Sequence, residues 1–247
     1  MLEIDKSPAA TTVSRSAAAV RAAARPGALA AIGAAVFVLI LVAVDSGTGL
    51  ASFDPGLTHQ IVAARTPALN TVAETVTFFG SEIWLAAVTL ASAGILLIRA
   101  ERFRAGLIVA SMAASASTTV LIKLIVDRPR PGALVEIGVP EASYSFPSGH
   151  TLNSTVCYGI IALVTLPLVR SVAARLAIGL TVGVLVFAIG TSRLYLGYHW
   201  ATDVLAGWTL GLSILAVAAT VTTLWRQSVR AGAKSADLSD RTRRASA

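Results

Sequence analysis

The dominant pattern in this sequence is a succession of long apolar runs separated by short polar or charged connections. Six runs stand out: Gly27–Val44, Ser81–Ile98, Ala105–Ile122, Thr151–Val169, Leu176–Thr191 and Val204–Leu224. Each approaches the roughly 20 residues that a helix needs to cross the hydrocarbon core of a bilayer. The pattern therefore predicts an all-α integral membrane protein with six transmembrane helices in a bundle. The second run is the least regular, because Glu82 lies near its start and Phe78 and Phe79 adjoin it. The fifth is short, and Arg175 lengthens it by snorkelling. The first run follows basic residues, as a signal peptide would, but no tight small-residue cleavage site closes it, so it is expected to be a retained helix.

Composition fits this pattern. Hydrophobic residues make up 55% of the 247 and charged ones only 13%, about half the share in soluble domains. Residues 1–26 and 227–247 are basic and rich in alanine and serine. They are expected to be cytoplasmic tails without a fold of their own, flanking a membrane domain over 27–226. No internal repeat is visible. The single cysteine, Cys157, excludes an intramolecular disulfide framework and a cysteine-based zinc site, and three histidines make a histidine-rich metal cluster unlikely on count alone.

Placing the charges orients the bundle. Fifteen of the 20 basic residues fall in the two tails and in the connections after the second and fourth runs. The other five are Arg65, Lys123, Arg128, Arg130 and Arg193, on the opposite side. The positive-inside rule then puts both termini in the cytoplasm. The net charge of +7 is read as orientation and contact with anionic headgroups rather than nucleic-acid binding.

The outer cations are not scattered. Lys123, Arg128 and Arg130 follow the third run directly, and Arg193 follows the fifth. Pro147-Ser148-Gly149-His150 precedes the fourth run, and His199 and Asp203 precede the sixth. All three segments emerge on one face. Charges at the ends of spans are expensive to desolvate, and together with two histidines they describe an anion-binding cleft. Ser148 and Gly149 open a helix whose free N–H groups and positive dipole end favour phosphate. Arg130 and Arg193 fork onto phosphoryl oxygens, and Lys123 supplies a point charge. His199 and Asp203 are spaced i, i+4, so on a continuous helix the carboxylate holds one ring nitrogen protonated and leaves the other as a nucleophile. His150 is the remaining titratable group and is placed to protonate a leaving oxygen. No carboxylate cluster suited to Mg²⁺ accompanies them, so neither a metal nor another cofactor is expected.

These residues closely resemble the type 2 phosphatidic acid phosphatase family, also called lipid phosphate phosphatases. Its three-part signature, Lys-x6-Arg-Pro, Pro-Ser-Gly-His and Ser-Arg-x5-His-x3-Asp, is matched by Lys123 through Arg130-Pro131, by Pro147 through His150, and by Ser192-Arg193 through His199 to Asp203. The resemblance covers the third to sixth runs. It implies a six-helix bundle with its active site at the extracytoplasmic face, and metal-independent hydrolysis through a phosphohistidine. His199 would then be the nucleophile, Asp203 its orienting partner and His150 the acid. Lys123, Arg130, Ser148, Gly149 and Arg193 would bind phosphate.

The substrate expected is a membrane lipid phosphate or diphosphate: an undecaprenyl-type diphosphate, phosphatidylglycerol phosphate or phosphatidic acid. Seventeen arginines against three lysines, with abundant alanine, point to a GC-rich bacterial genome and so to the plasma (inner) membrane. A lipid phosphotransferase would use the same residues with an acceptor hydroxyl. Vanadium-dependent halide oxidation is disfavoured by the six spans, and a phosphate or lipid transporter by the clustering of polar groups at one surface. Arg128 is read as a rim or headgroup contact, Asp127 as an arginine partner, His59 as a plain loop residue and Cys157 as packing. Tyr195, Tyr198 and Trp200 are read as an interfacial aromatic belt, with the alternative that Tyr198 and Trp200, which flank His199, shape substrate entry. Segment 50–68 is read as an interfacial helix on the outer leaflet. Small residues such as Ala113 through Ser117 suit packing within or between chains, which leaves the oligomeric state open.

Overall fold

The structure, a computed structural model, describes residues 8–245. Its eight α-helices are α1 (Pro8–Ser46), α2 (Asp54–Ala63), α3 (Pro67–Phe78), α4 (Glu82–Ile98), α5 (Arg102–Val126), α6 (Gly149–Thr165), α7 (Val172–Tyr195) and α8 (Ala201–Ala245). A 3₁₀ turn over Gly49–Phe53 precedes α2, and a second over Leu166–Leu168 follows α6. Five of these helices contain stretches long and apolar enough to cross a membrane, and α3 and α4, bent by 42° at their junction, reach that length only as a pair.

The second apolar run, 81–98, is the helix α4, but α4 alone is short for a crossing and passes the test of a span only together with α3. α4 has only 17 residues, and the turn Phe79–Ser81 joins it to α3. Gly80 sits at that bend, where a Cβ would lie 2.5 Å from Ile189 and 3.1 Å from the His150 ring. The break thus lets backbone press against α7 and α6 close to the outer polar residues. The stretches expected to be fold-free also differ, since α1 takes in residues 8–26 and α8 residues 227–245.

Local chemistry sets the other ends. α1 stops at Gly47, whose φ of +65° admits glycine cheaply. Thr66 caps α3 by accepting from Leu69 N, with Pro67 at the first helical position. α5 ends where Asp127 turns left-handed (φ 55°) just before Arg128-Pro129, which cannot continue the helix. Asp127 is thus an exposed helix terminator, not an arginine partner.

α6 is the central helix. Leu152, Val156, Cys157 and Ile160 are wholly buried on it. α8 lies against it through Gly207 and Gly211, where a Cβ would come within 2.9 Å of Thr151 and 2.8 Å of Thr155. Small residues four apart let helices approach closely when lipid tails offer no hydrophobic driving force of their own. The periphery is apolar instead: Ile83, Ile98 and Ile125 are 87%, 88% and 79% exposed. Such faces belong against lipid.

Candidate active site

The C-terminal ends of α5 and α7 and the N-terminal ends of α6 and α8, with the loops 127–148 and 196–200, bring the charged motifs together. The 196–200 turn is possible because Gly197 has φ +83°, and any side chain there would collide with the Val135 carbonyl. It delivers His199, 2% exposed, just ahead of α8. Asp203 lies in the first turn of α8 and is fully buried. The two are therefore joined across a helix start rather than along a continuous helix. Asp203 Oδ2 accepts from Trp200 N at 2.9 Å, and His199 Nδ1 lies 3.4 Å from the same oxygen. Ser145 donates to that oxygen as well, and Arg128 Nη1 binds Oδ1 at 2.6 Å.

The other ring nitrogen, Nε2, lies 3.4 Å from Arg130 Nη1. A carboxylate at one nitrogen and a guanidinium at the other assign the proton to Nδ1 and the lone pair to Nε2. Burial, then the cations Arg193, Arg130 and Lys123, hold the His199 pKa well below the usual imidazole range despite opposition from Glu141. The ring is thus neutral at neutral pH, with its lone pair on Nε2.

Facing it is an anion clamp already holding an anion. Glu141 Oε2 takes Arg130 Nη2 at 2.6 Å, and Oε1 takes Arg193 Nη2. Burial alone would raise the Glu141 pKa, but Arg193 and Arg130 overcome it and bring it down to about 2. One carboxylate therefore bridges the two arginines expected to grip phosphoryl oxygens. Arg193 also donates to Thr77 at 3.1 Å and lies 4.0 Å above the Tyr198 ring. Its buried Nε has no protein partner. Arg130 is braced further by Ser143 O at 2.7 Å and Tyr198 O at 2.6 Å. Lys123 donates to the Tyr144 carbonyl and acts electrostatically on Arg130, Glu141, Asp203 and Arg193.

Ser148 and Gly149 start α6 as expected, but Ser148 has a tying role too. Its N–H donates to Asp203 O at 3.1 Å, and its hydroxyl accepts from Thr151 at 2.9 Å. Gly149 packs against α5, where a Cβ would lie 3.3 Å from Thr119. His150, half-buried in the first turn of α6, packs against the bend at Gly80, where a Cβ would lie 3.1 Å from its ring. All eight motif residues thus lie at one end of the helix bundle.

Several readings change. Arg128 is not at the rim: it turns inward to Asp203 and to Asp54, the latter at 2.8 Å. Segment 50–68 is no single helix on a leaflet but a 3₁₀ turn and α2, with Asp54 buried at 2% exposure. Tyr198 is buried with its hydroxyl on Ile137 O at 2.7 Å, so it belongs to the site wall rather than to an aromatic belt. Tyr195 binds Asn70 at 2.9 Å and Trp200 binds Pro129 O at 2.9 Å, both tying loops together. His59 is exposed on α2, and Cys157 packs beside Thr89. Glu141 was missed altogether; the only signal for it was that Glu136 and Glu141 are the sole acids between Arg128 and Ser148.

A membrane-spanning helical bundle with a buried imidazole opposite an arginine clamp defines a membrane phosphohydrolase. The chain belongs to the PAP2 superfamily, whose sequence pattern matches residues 104–227. It is 31% identical over 179 residues to phosphatidylglycerophosphatase B of Bacillus subtilis, covering 72% of this chain and 87% of the relative. Over 154 residues it is 35% identical to decaprenylphosphoryl-5-phosphoribose phosphatase of Mycolicibacterium smegmatis, covering 60% and 76%. The crystal structure of a transmembrane PAP2 type phosphatidylglycerolphosphate phosphatase from Bacillus subtilis superposes with a TM-score of 0.68 at 26% identity, covering 75% of this chain and 93% of that one. The chain is accordingly an enzyme that hydrolyses lipid phosphates.

Proposed function

We propose that this enzyme removes phosphate from a lipid phosphate or diphosphate by way of a phosphohistidine on His199. The observation that carries the reading is the seating of one two-oxygen anion between Arg130 and Arg193 beside the free nitrogen of His199. A phosphoryl group displacing Glu141 meets the same two guanidiniums, together with Lys123 and the start of α6. His199 Nε2 attacks phosphorus as the bond to the lipid oxygen breaks, and His150 gives that oxygen its proton. Water then attacks the phosphohistidine, His150 takes the water's proton, and inorganic phosphate leaves with His199 restored. Asp203 supports the charge that grows on the imidazole. The clamp supports the charge spreading over the phosphoryl oxygens.

A groove of about 470 Å³ between α4 and α5 favours a lipid substrate. Leu85, Leu90, Val109, Met112 and Ala113 line it, and it reaches Thr119 and Asn153 beneath Gly149. An acyl or prenyl tail can lie there while its phosphate reaches the clamp. Both similar curated proteins act, by name, on lipid phosphates, so phosphatidylglycerol phosphate and a polyprenyl-linked phosphate lead the candidates. The charge asymmetry favours cytoplasmic termini and an extracytoplasmic site in the plasma membrane of a bacterium.

The test is phosphate release in detergent micelles with chelator present, across phosphatidylglycerol phosphate, undecaprenyl diphosphate and phosphatidic acid. Release by the parent and a loss of more than about 10³-fold in His199→Ala are expected. Release unchanged in that variant, or none from any lipid by the parent, would reject the mechanism.

A further inference from the structure

Asp54 stands outside all three sequence motifs, and it precedes the residues matched by the family pattern. An aspartate at the start of a short exposed helix ordinarily faces water and favours the helix dipole. Here it is 2% exposed, although its neighbour Phe53 is 70% exposed. Both of its oxygens are committed. Oδ1 accepts from Thr202 N at 3.1 Å, while Oδ2 accepts from the Thr202 hydroxyl and from Arg128 Nη2 at 2.8 Å. The other arm of the same guanidinium, Nη1, reaches Asp203 Oδ1 at 2.6 Å and Thr202 at 2.7 Å.

A continuous chain of contacts therefore runs Asp54–Arg128–Asp203–His199. Arg128 fills the Asp203 oxygen that faces away from the imidazole, so only Oδ2 remains for His199 Nδ1. The arrangement fixes the carboxylate plane. It also sets charge: Arg128 alone would neutralise Asp203, but Asp54 leaves the three groups with one net negative charge. That charge faces a ring that becomes cationic when its other nitrogen takes up phosphorus. Burying an arginine between two carboxylates is costly unless its hydrogen bonds are met, and here both arms are met. The Trp200 ring, 5.5 Å from the guanidinium, closes the remaining side.

We infer that Asp54 and Arg128 form a positioning pair that holds Asp203 in line with His199, coupling the first outer segment of the chain to the reaction centre. Neither residue touches the phosphoryl group. The inference rests on the hydrolase reading above. It separates Arg128 from Arg130, two residues later, as a residue serving the nucleophile and not the substrate.

The test uses the full-length protein in detergent, with phosphatidylglycerol phosphate or whichever lipid of the panel it hydrolyses best. Asp54→Asn keeps an acceptor for Thr202 but removes the charge; Arg128→Gln removes the bridge; Arg128→Lys keeps charge without the fork. Asp54→Asn and Arg128→Gln are each expected to lower kcat roughly 10- to 100-fold, the scale of a lost hydrogen bond to a charged group. KM and inhibition by inorganic phosphate should stay within about threefold, because the clamp is intact. The double variant should be no slower than Arg128→Gln alone, and Arg128→Lys should fall between it and the parent. Elution volume and melting temperature establish that each variant is folded. Folded variants with parental kcat would overturn the inference, and so would additive losses that track melting temperature. If the parent releases no phosphate while remaining folded, the hydrolase reading fails and this one with it. A parent that is active on lipid with inert pair positions sinks the positioning role alone.

Discussion

Helices α6 and α7 are consecutive spans of similar apolarity, yet they meet opposite surroundings. α6 is enclosed by α4, α5, α7 and α8, and buries Thr151, Leu152, Ser154, Val156, Cys157 and Ile160 among others. On α7 the buried residues are confined to its outer end, at Ile189, Gly190, Ser192 and Arg193. Its remainder, with Leu176, Leu180, Val184 and Phe187, faces outward. One span is held along its whole length and the other is fastened at its tip. In a bilayer both are apolar, so hydropathy does not distinguish a structural centre from a lipid-facing strut that carries one decisive side chain.

The largest test of that contrast falls on the tip. Arg193→Lys, which keeps a charge beside Glu141 but loses the fork, should cost about 10²–10³-fold in kcat, the scale of removing one donor to a transition-state anion, with little change in melting temperature because the ion pair survives. Phosphate-release kinetics and a thermal scan in detergent decide it; an equal collapse of both would mean that the tip is structural. Next comes packing along the enclosed helix. Gly207→Leu forces a side chain into Thr151 and the Ser148 carbonyl and should destabilise by about 1–3 kcal/mol. Gly183→Leu on α7, where nothing lies within 4 Å, should leave the midpoint unchanged. Similar shifts in both would break the comparison.

The smallest effect concerns Glu141, which ties the α7 tip to the 127–148 loop. Its pKa is lowered from 4.5 to about 2, so folding gains from its ionised form above 4.5 and loses that gain as pH falls towards 2. The melting temperature should therefore drop between about pH 5 and pH 2 more in the parent than in Glu141→Gln. Equal slopes would mean that the carboxylate contributes nothing to folding.

Much of this molecule is readable as sequence. The second apolar run is the helix α4 and the fourth is α6 closed by a 3₁₀ turn, while the runs do not reveal that α3 adjoins α4 at a bend where Gly80 packs closely. The three motifs name the residues that converge, since spacing near a span end fixes depth as well as side. What spacing does not encode is which ionic partner a side chain finds once helices pack. Arg128 and Arg130 are both arginines before prolines. Only the approach of α2 and α8 turns the first inward while the second faces the pocket. Asp54 and Glu141 were illegible for the same reason, because each is paired with an arginine more than 50 residues away in sequence.

The carboxylate of Glu141 also has a meaning for anions that are not substrates. It is a ligand on a short tether, present at the clamp at an effective concentration of order millimolar or more. Chloride, acetate and other singly charged ions must outcompete it merely to be bound. A phosphate monoester brings two charges and a third oxygen, and it exchanges on favourable terms. The resting pocket thus carries its own threshold, and selectivity against weak anions is set by a residue that is absent from the three motifs.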